Sequence, residues 1–285
     1  MKISYSNNNL ILTNVADFCL EHIFECGQCF RWEKQPDGSY MGIAYSTPLK
    51  IAQSGDTVTL YDTTIEQFNS VWYNYFDLGT DYSAIKKALS VDPVLKKASE
   101  FGGGIRLLNQ DFWECTVSFI ISQSNNIPRI KKIISSLCSL YGKKTEYMGN
   151  TFYTFPEPDA ILNSPPEMLS EVKAGFRDKY IMAAAEYFRT GCSKTDFDLM
   201  TYSEAKASLM KIYGIGPKVA DCILLFSLGK RQSFLVDVWI KELWNIFTLT
   251  ANSRQVRLQA LRANAFHSSE VTPSNTYSIM LGRTK

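Results

Sequence analysis

Two hydrophobic periods divide this chain. From about residue 9 to 62 the apolar positions fall in short runs, among them FRWEK at 30–34, YMGIAY at 40–45 and TVTLYD at 57–62, broken by the turn sequences PDGS and SGD. Short runs rich in aromatic and β-branched residues between turn formers predict an antiparallel sheet. At Thr64 the period changes. In IEQFNSVWYNYF, Phe68, Val71, Trp72 and Phe76 recur at spacings of three and four, which is one face of a helix. Helices are then predicted over 109–123, 127–140, 166–174, 178–189, 203–213, 217–228, 238–247 and 254–264, with loops at FGGG (101–104) and at Pro165–Pro166. The fold class predicted is α+β: an N-terminal antiparallel sheet domain over 1–108, then a mostly helical domain over 109–285, joined within 100–113. No internal repeat or low-complexity segment breaks this plan.

Composition narrows the class without fixing the function. The 285 residues are 45% hydrophobic and 20% charged, as in an ordinary globular protein and unlike a disordered one. A net charge of +2 fits a nucleic-acid binder and many enzymes alike, so local placement of charge decides. Seven cysteines, an odd number without the spacing of a secreted framework, point to a reducing, cytoplasmic setting. Cys26 and Cys29 form a C-x-x-C pair, but no second pair or nearby histidine completes a metal site. A buried structural role is the better reading, and no metal or cofactor is expected. His22 and His267 are the only histidines, too few for a histidine-centred hydrolase. No basic segment followed by an apolar core opens the chain, and no apolar run approaches the ~18 residues of a membrane span, so a protein without membrane association is expected.

The stretch LMKIYGIGPKVADCILLFSLGK at 209–230 carries the chemistry. One helix ends near Tyr213, Gly214 to Gly216 make a tight hairpin, and Pro217 opens a second helix at a first-turn position. Glycines there leave backbone N–H groups bare beside a positive helix end, which suits a phosphate. Lys218 lies in the first turn, where those donors disfavour its protonated form and would make it an amine nucleophile able to form a Schiff base. From the position alone, a solvated lysine contacting phosphate is the better reading. FLVDVWIKELW then puts Asp237 where a third helix begins. It is a preferred N-cap, and also a carboxylate able to accept a proton and stabilise positive charge on a sugar.

GIGPKVADC followed by VDVW resembles the helix-hairpin-helix DNA glycosylases and, within them, the 8-oxoguanine branch. The resemblance implies Lys218 as nucleophile, Asp237 as catalytic carboxylate, and Cys222 lying against the damaged base. It implies a glycosylase fold for the helical domain and a bifunctional activity: a base flipped from duplex DNA, displaced by lysine, and strand cleavage by β-elimination. ECGQCFRW at 25–32 is similar to the family's G-Q-[SC]-F-R-W element, in which Gly27 would offer its carbonyl to the N7–H that 8-oxoguanine has and guanine lacks. QDFWECTVSFIISQSNNIPRI at 110–130 resembles the family's partner-base segment, giving Asn125 and Arg129 to the orphaned base. AGFRDKY at 174–180 supplies Phe176 as a wedge and Arg177 as a second reader, although taken singly Phe176 reads as core and Arg177 as surface. Gly214, Gly216 and Val219 would meet the DNA backbone.

The departures matter as much. Ser124 stands where the family's triple-Asn motif begins, which predicts relaxed preference for cytosine opposite the lesion. Trp239 replaces a histidine that relatives hold near a phosphate. EVTPSNTYSIMLGRTK at 270–285 does not resemble the family's last helix, although a one-base shift of codons from Glu270 to Gly282 permits GYSQQYLFYYAR. A frameshift near 262–269 is therefore inferred, which the nucleotide sequence tests; as written, the tail over 265–285 predicts loose order and a missing pocket wall. The absence of any cysteine after Cys222 argues against the iron–sulfur glycosylases, and Lys218 against the alkyl-purine ones. A monomer acting on double-stranded DNA, nucleoid-associated if bacterial, is the resulting expectation. The alternative is a non-catalytic or inactivated DNA-binding helix-hairpin-helix protein.

Overall fold

Six strands, β1 (Lys2–Ser6), β2 (Asn9–Thr13), β3 (Trp32–Lys34), β4 (Tyr40–Ala44), β5 (Thr47–Ser54) and β6 (Thr57–Tyr61), form one sheet in the order β1-β2-β6-β5-β4-β3. Every neighbouring pair is antiparallel. These strands belong to a computed structural model that describes residues 1–191 and 193–233, the side chains of Val94 and Pro166 excepted. Alternation sends Leu10, Leu12, Leu49, Ile51, Val58 and Leu60 to one buried face, and the register stacks Leu10 and Ile51 on either side of Leu60. Strands alternate side chains between faces, so one set of apolar positions builds one core.

Aromatic residues close that face. Phe24, at the end of α1 (Leu20–Phe24), stacks on Trp32 with ring centroids 4.3 Å apart, and the indole N–H of Trp32 donates to the Tyr75 hydroxyl at 2.8 Å. The helical period at Thr64 is real but interrupted: Ile65–Gln67 and Tyr73–Tyr75 are α-helical, with a π turn over Phe68–Trp72 between them. Phe68, Trp72 and Phe76 are buried and Val71 packs at the margin of the same core.

The second core is helical. After α2 (Tyr82–Leu89) and α3 (Pro93–Phe101) come α4 (Phe112–Ser122) and α5 (Ile127–Tyr141), the hairpin β7–β8 (Lys144–Tyr147, Asn150–Tyr153), α6 (Asp178–Arg189), α7 (Tyr202–Leu209) and α8 (Pro217–Phe226). α4 is buried along nearly its whole length and is the axis of this core. Phe119 of α4 stacks on Phe226 of α8 at 5.4 Å. Asp111 caps α4 by accepting from Glu114 N–H, and Asn126 caps α5 by accepting from Arg129 N–H, which relieves unpaired donors at both helix starts.

Observed and expected elements differ in several places. The helix expected over 166–174 stops at Ser170, and Lys173 and Gly175 then take positive φ. α2, α3 and the β7–β8 hairpin have no counterpart in the hydrophobic reading. Among the described residues no helix is long and apolar enough to cross a membrane. Asp237, Trp239, the helices expected over 238–247 and 254–264, and the tail over 265–285 lie outside the described residues.

Candidate active site

The hairpin between α7 and α8 is built from backbone. Ile212 N–H donates to Leu209 O and Ile215 N–H to Ile212 O, which reverses the chain in one turn. Gly214 has φ +94, and a Cβ there would overlap the ring of Tyr180, so both conformation and space require glycine. Gly216 is different. It precedes α8 with φ −90 and ψ 178, and a Cβ on it would meet no atom within 4 Å. That start carries no side-chain cap and has Pro217 in the first turn, so its first N–H groups are left to an outside acceptor. Lys218 is exposed at this point, while Val219, Ala220 and Cys222 turn into the helical core. Cys222 lies close to Cys115 of α4, whose thiol is pushed well above its ordinary range by burial and then by Cys222.

Two further segments meet the hairpin. The turn after α4 is bound to it by Gln123, whose side-chain amide donates to Gly214 O at 3.1 Å. The same turn accepts from Arg177: its Nε donates to Gln123 O at 2.9 Å, and its Nη2 reaches both Gln123 O and Ser124 O. Nη1 donates to Ala174 O at 3.0 Å. Ser124 is held at φ +48 with its carbonyl so engaged. Within the turn, Asn125 donates to Ile121 O and accepts from Asn126 N–H, both at 3.0 Å.

The positions of Phe176 and Arg177 reverse what each residue type suggests. Arg177 is 3% exposed and Phe176 53%, and the guanidinium lies 4.3 Å from the Phe176 ring centroid as its support. Burial, and then the charge of exposed Arg129, lower the pKa of Arg177. Phe176 meets Tyr180 edge-on at 5.8 Å, and Tyr180 meets Tyr213 of the hairpin at 5.1 Å. Lys179 Nζ lies 5.6 Å from the centroids of both tyrosine rings, so one cation bridges the two elements. Lys218, Gly214, Gly216, Asn125, Arg129, Phe176 and Arg177 thus lie on three segments directly bonded to one another.

Gly27 lies between α1 and β3. It follows α1 with φ +79, a Cβ on it would meet nothing within 4 Å, and among the described residues its carbonyl accepts no hydrogen bond. The next residue, Gln28, is 1% exposed, with its side chain bonded at both polar atoms. Its amide donates to Ile23 O and Arg106 O, both at 2.9 Å, and its Oε1 accepts from Leu108 N–H at 3.0 Å. The hexad pointed to Gly27 but not to Gln28, nor to Gln123 and Tyr180, which fasten the other segments; a polar side chain satisfied wholly by distant backbone has no local signature. Beside Gly27, Cys29 is buried and Cys26 partly so. Between the cores Arg31 pairs with Glu114 at 3.1 Å and donates to Tyr153 O, at a cleft lined also by Cys29, Tyr75 and Asp111. Burial pushes the Glu114 carboxyl up and the Arg31 charge opposes it.

Residues 10–116 match the family model of the 8-oxoguanine DNA glycosylase N-terminal domain, and residues 117–263 that of the HhH-GPD superfamily base excision DNA repair proteins. Among curated proteins, the N-glycosylase/DNA lyase of Saccharomyces cerevisiae is 27% identical over 92% of this chain and 77% of its own length. Among solved structures, MBOgg1 in complex with a low affinity DNA ligand is 41% identical, with a TM-score of 0.90 over 99% of this chain and 98% of that one. The 8-oxoguanine glycosylase/lyase of Clostridium acetobutylicum, in complex with double-stranded DNA containing cytosine opposite 8-oxoguanine, is 38% identical, with a TM-score of 0.88 over 99% of this chain and 98% of that one.

Proposed function

Because this chain belongs to the HhH-GPD superfamily of base excision DNA repair proteins and carries the N-terminal domain of 8-oxoguanine DNA glycosylases, we propose that it excises 8-oxoguanine from duplex DNA and cleaves the strand at the resulting site. The observation that carries this reading is Lys218, exposed in the first turn of α8 on a glycine hairpin that the partner-base turn and the wedge brace directly.

In this reading the bare N–H groups around Gly216 hold a phosphate, so binding depends on salt, and the lesion leaves the stack. Phe176, exposed and supported by Arg177, fills the space it vacates. Asn125 and Arg129 face the orphaned base, with Arg177 shaping that surface through the carbonyls of 123 and 124. The carbonyl of Gly27 accepts the N7–H of the lesion; guanine presents a lone pair there and is rejected. The neutral amine of Lys218 attacks C1′, a C–N bond forms, and the glycosidic bond breaks with its electron pair leaving on the base, which takes up a proton. Asp237 stabilises the positive sugar and relays the proton of the new ammonium. Ring opening gives a Schiff base, and loss of a C2′ proton expels the 3′ phosphate. Cys222 borders the base, Val219 and Trp239 border the backbone, and the protein acts as a monomer divided near residue 108.

Excision from duplexes carrying 8-oxoguanine opposite each of the four bases tests this. The expected outcome is release of 8-oxoguanine with strand cleavage, and with Ser124 in place of an asparagine, a cytosine preference of less than about 10-fold. Duplex binding without base release opposite any partner would contradict it.

A further inference from the structure

The carbonyl assigned to recognition belongs to a residue with little to hold it. Gly27 has positive φ and no neighbour within 4 Å of a Cβ position; a peptide flanking such a glycine rotates easily unless the next residue is fixed. Gln28 is fixed at every polar atom of its side chain, by Ile23 O, Arg106 O and Leu108 N–H. Its own carbonyl accepts from the Gln110 side-chain amide at 2.6 Å. Gln110 is 7% exposed, and its backbone N–H donates to Phe226 O at 2.7 Å, the last residue of α8. A continuous chain of buried hydrogen bonds therefore runs from Gln28, the residue after Gly27, through Gln110 to the far end of the helix whose first turn carries Lys218.

We propose that Gln28 and Gln110 are positioning residues for lesion recognition: they fix the Gly27 carbonyl relative to α8, so that a base accepted at N7 is also presented to the lysine. The Gln28 side chain is bonded at both its amide nitrogen and its oxygen, and Gln110 commits its amide N–H to the Gln28 carbonyl, so both act through Gly27. The inference rests on the proposed function. It separates base recognition from lyase chemistry, since strand cleavage at an abasic site needs Lys218 but no base contact.

The test is Gln110→Met, which keeps length and apolar volume and removes the donor to Gln28 O, together with Gln28→Glu, which keeps the acceptor for Leu108 N–H and loses the donors. Active enzyme is counted by borohydride trapping on abasic duplex, so rates refer to folded protein. Single-turnover release of 8-oxoguanine is expected to fall about 10-fold or more per active site, the scale of a sub-ångström misplacement, with abasic-strand cleavage within about 2-fold of the unsubstituted protein. A parallel fall in both reactions, or wild-type excision per active site in both variants, overturns the positioning role. An unsubstituted protein that cleaves abasic DNA and releases no 8-oxoguanine overturns the proposed function instead.

Discussion

At the hairpin the functional group is the backbone, and the two glycines serve it differently. Gly214 is there for fit: φ +94 and the face of Tyr180 leave no room for a Cβ. Gly216 is there for access, since its Cβ position is open and its φ of −90 suits any residue. Gly214→Ala should lower stability by about 3 kcal/mol, from left-handed backbone and overpacking together. Gly216→Ala should cost less than about 1 kcal/mol yet weaken duplex binding about 10-fold by standing where a phosphate approaches. Urea unfolding and fluorescence binding separate the two; equal stability losses would remove the distinction. Residue type alone misleads beside them. Phenylalanine is ordinarily interior and arginine exterior, but three carbonyls aimed inward from Ala174, Gln123 and Ser124 capture the Arg177 fork and leave its neighbour outside. The motif AGFRDKY implied Phe176 as a wedge and Arg177 as a reader of the partner base; the inward turn of the Arg177 fork was not legible in it.

Among the elements, the turn between α4 and α5 depends most on a distant partner. Arg177 supplies it with donors across more than fifty residues of chain, and Gln123 ties it to Gly214. Arg177→Ala should destabilise the fold by about 2 kcal/mol, because it strands one buried and two partly buried carbonyls that had a charged donor. Arg177→Lys should restore little, since an ammonium cannot reproduce the fork. Equilibrium denaturation with an unchanged m-value checks both, and full rescue by lysine would show that charge rather than geometry holds the turn. α4 and α5 themselves were legible because each has a cap and a dense apolar face: 109–123 and 127–140 were expected and Phe112–Ser122 and Ile127–Tyr141 are found. The 166–174 segment was not, since positive φ at Lys173 and Gly175 ends a pattern that apolar spacing alone continues. β1 buries none of its residues, and β7–β8 is largely polar, so neither has a hydrophobic period to read.

On the scale of the whole molecule, a sheet core and a helical core bring together groups that sequence places more than a hundred residues apart. The α+β order was visible in the switch of period at Thr64, and the chemistry in GIGPKVADC. What joins them was not: Gln28 to Arg106 and Leu108, Gln110 to Phe226, and Arg31 to Glu114 are contacts across about eighty residues or more, and no local spacing encodes them. The covalent role of Lys218 is tested most directly by borohydride reduction on a duplex containing 8-oxoguanine. The unsubstituted protein should leave a covalent protein–DNA adduct, and Lys218→Gln should bind the same duplex at low salt and leave none. An adduct of undiminished yield with Lys218→Gln, or tight binding without any adduct from the unsubstituted protein, would contradict it.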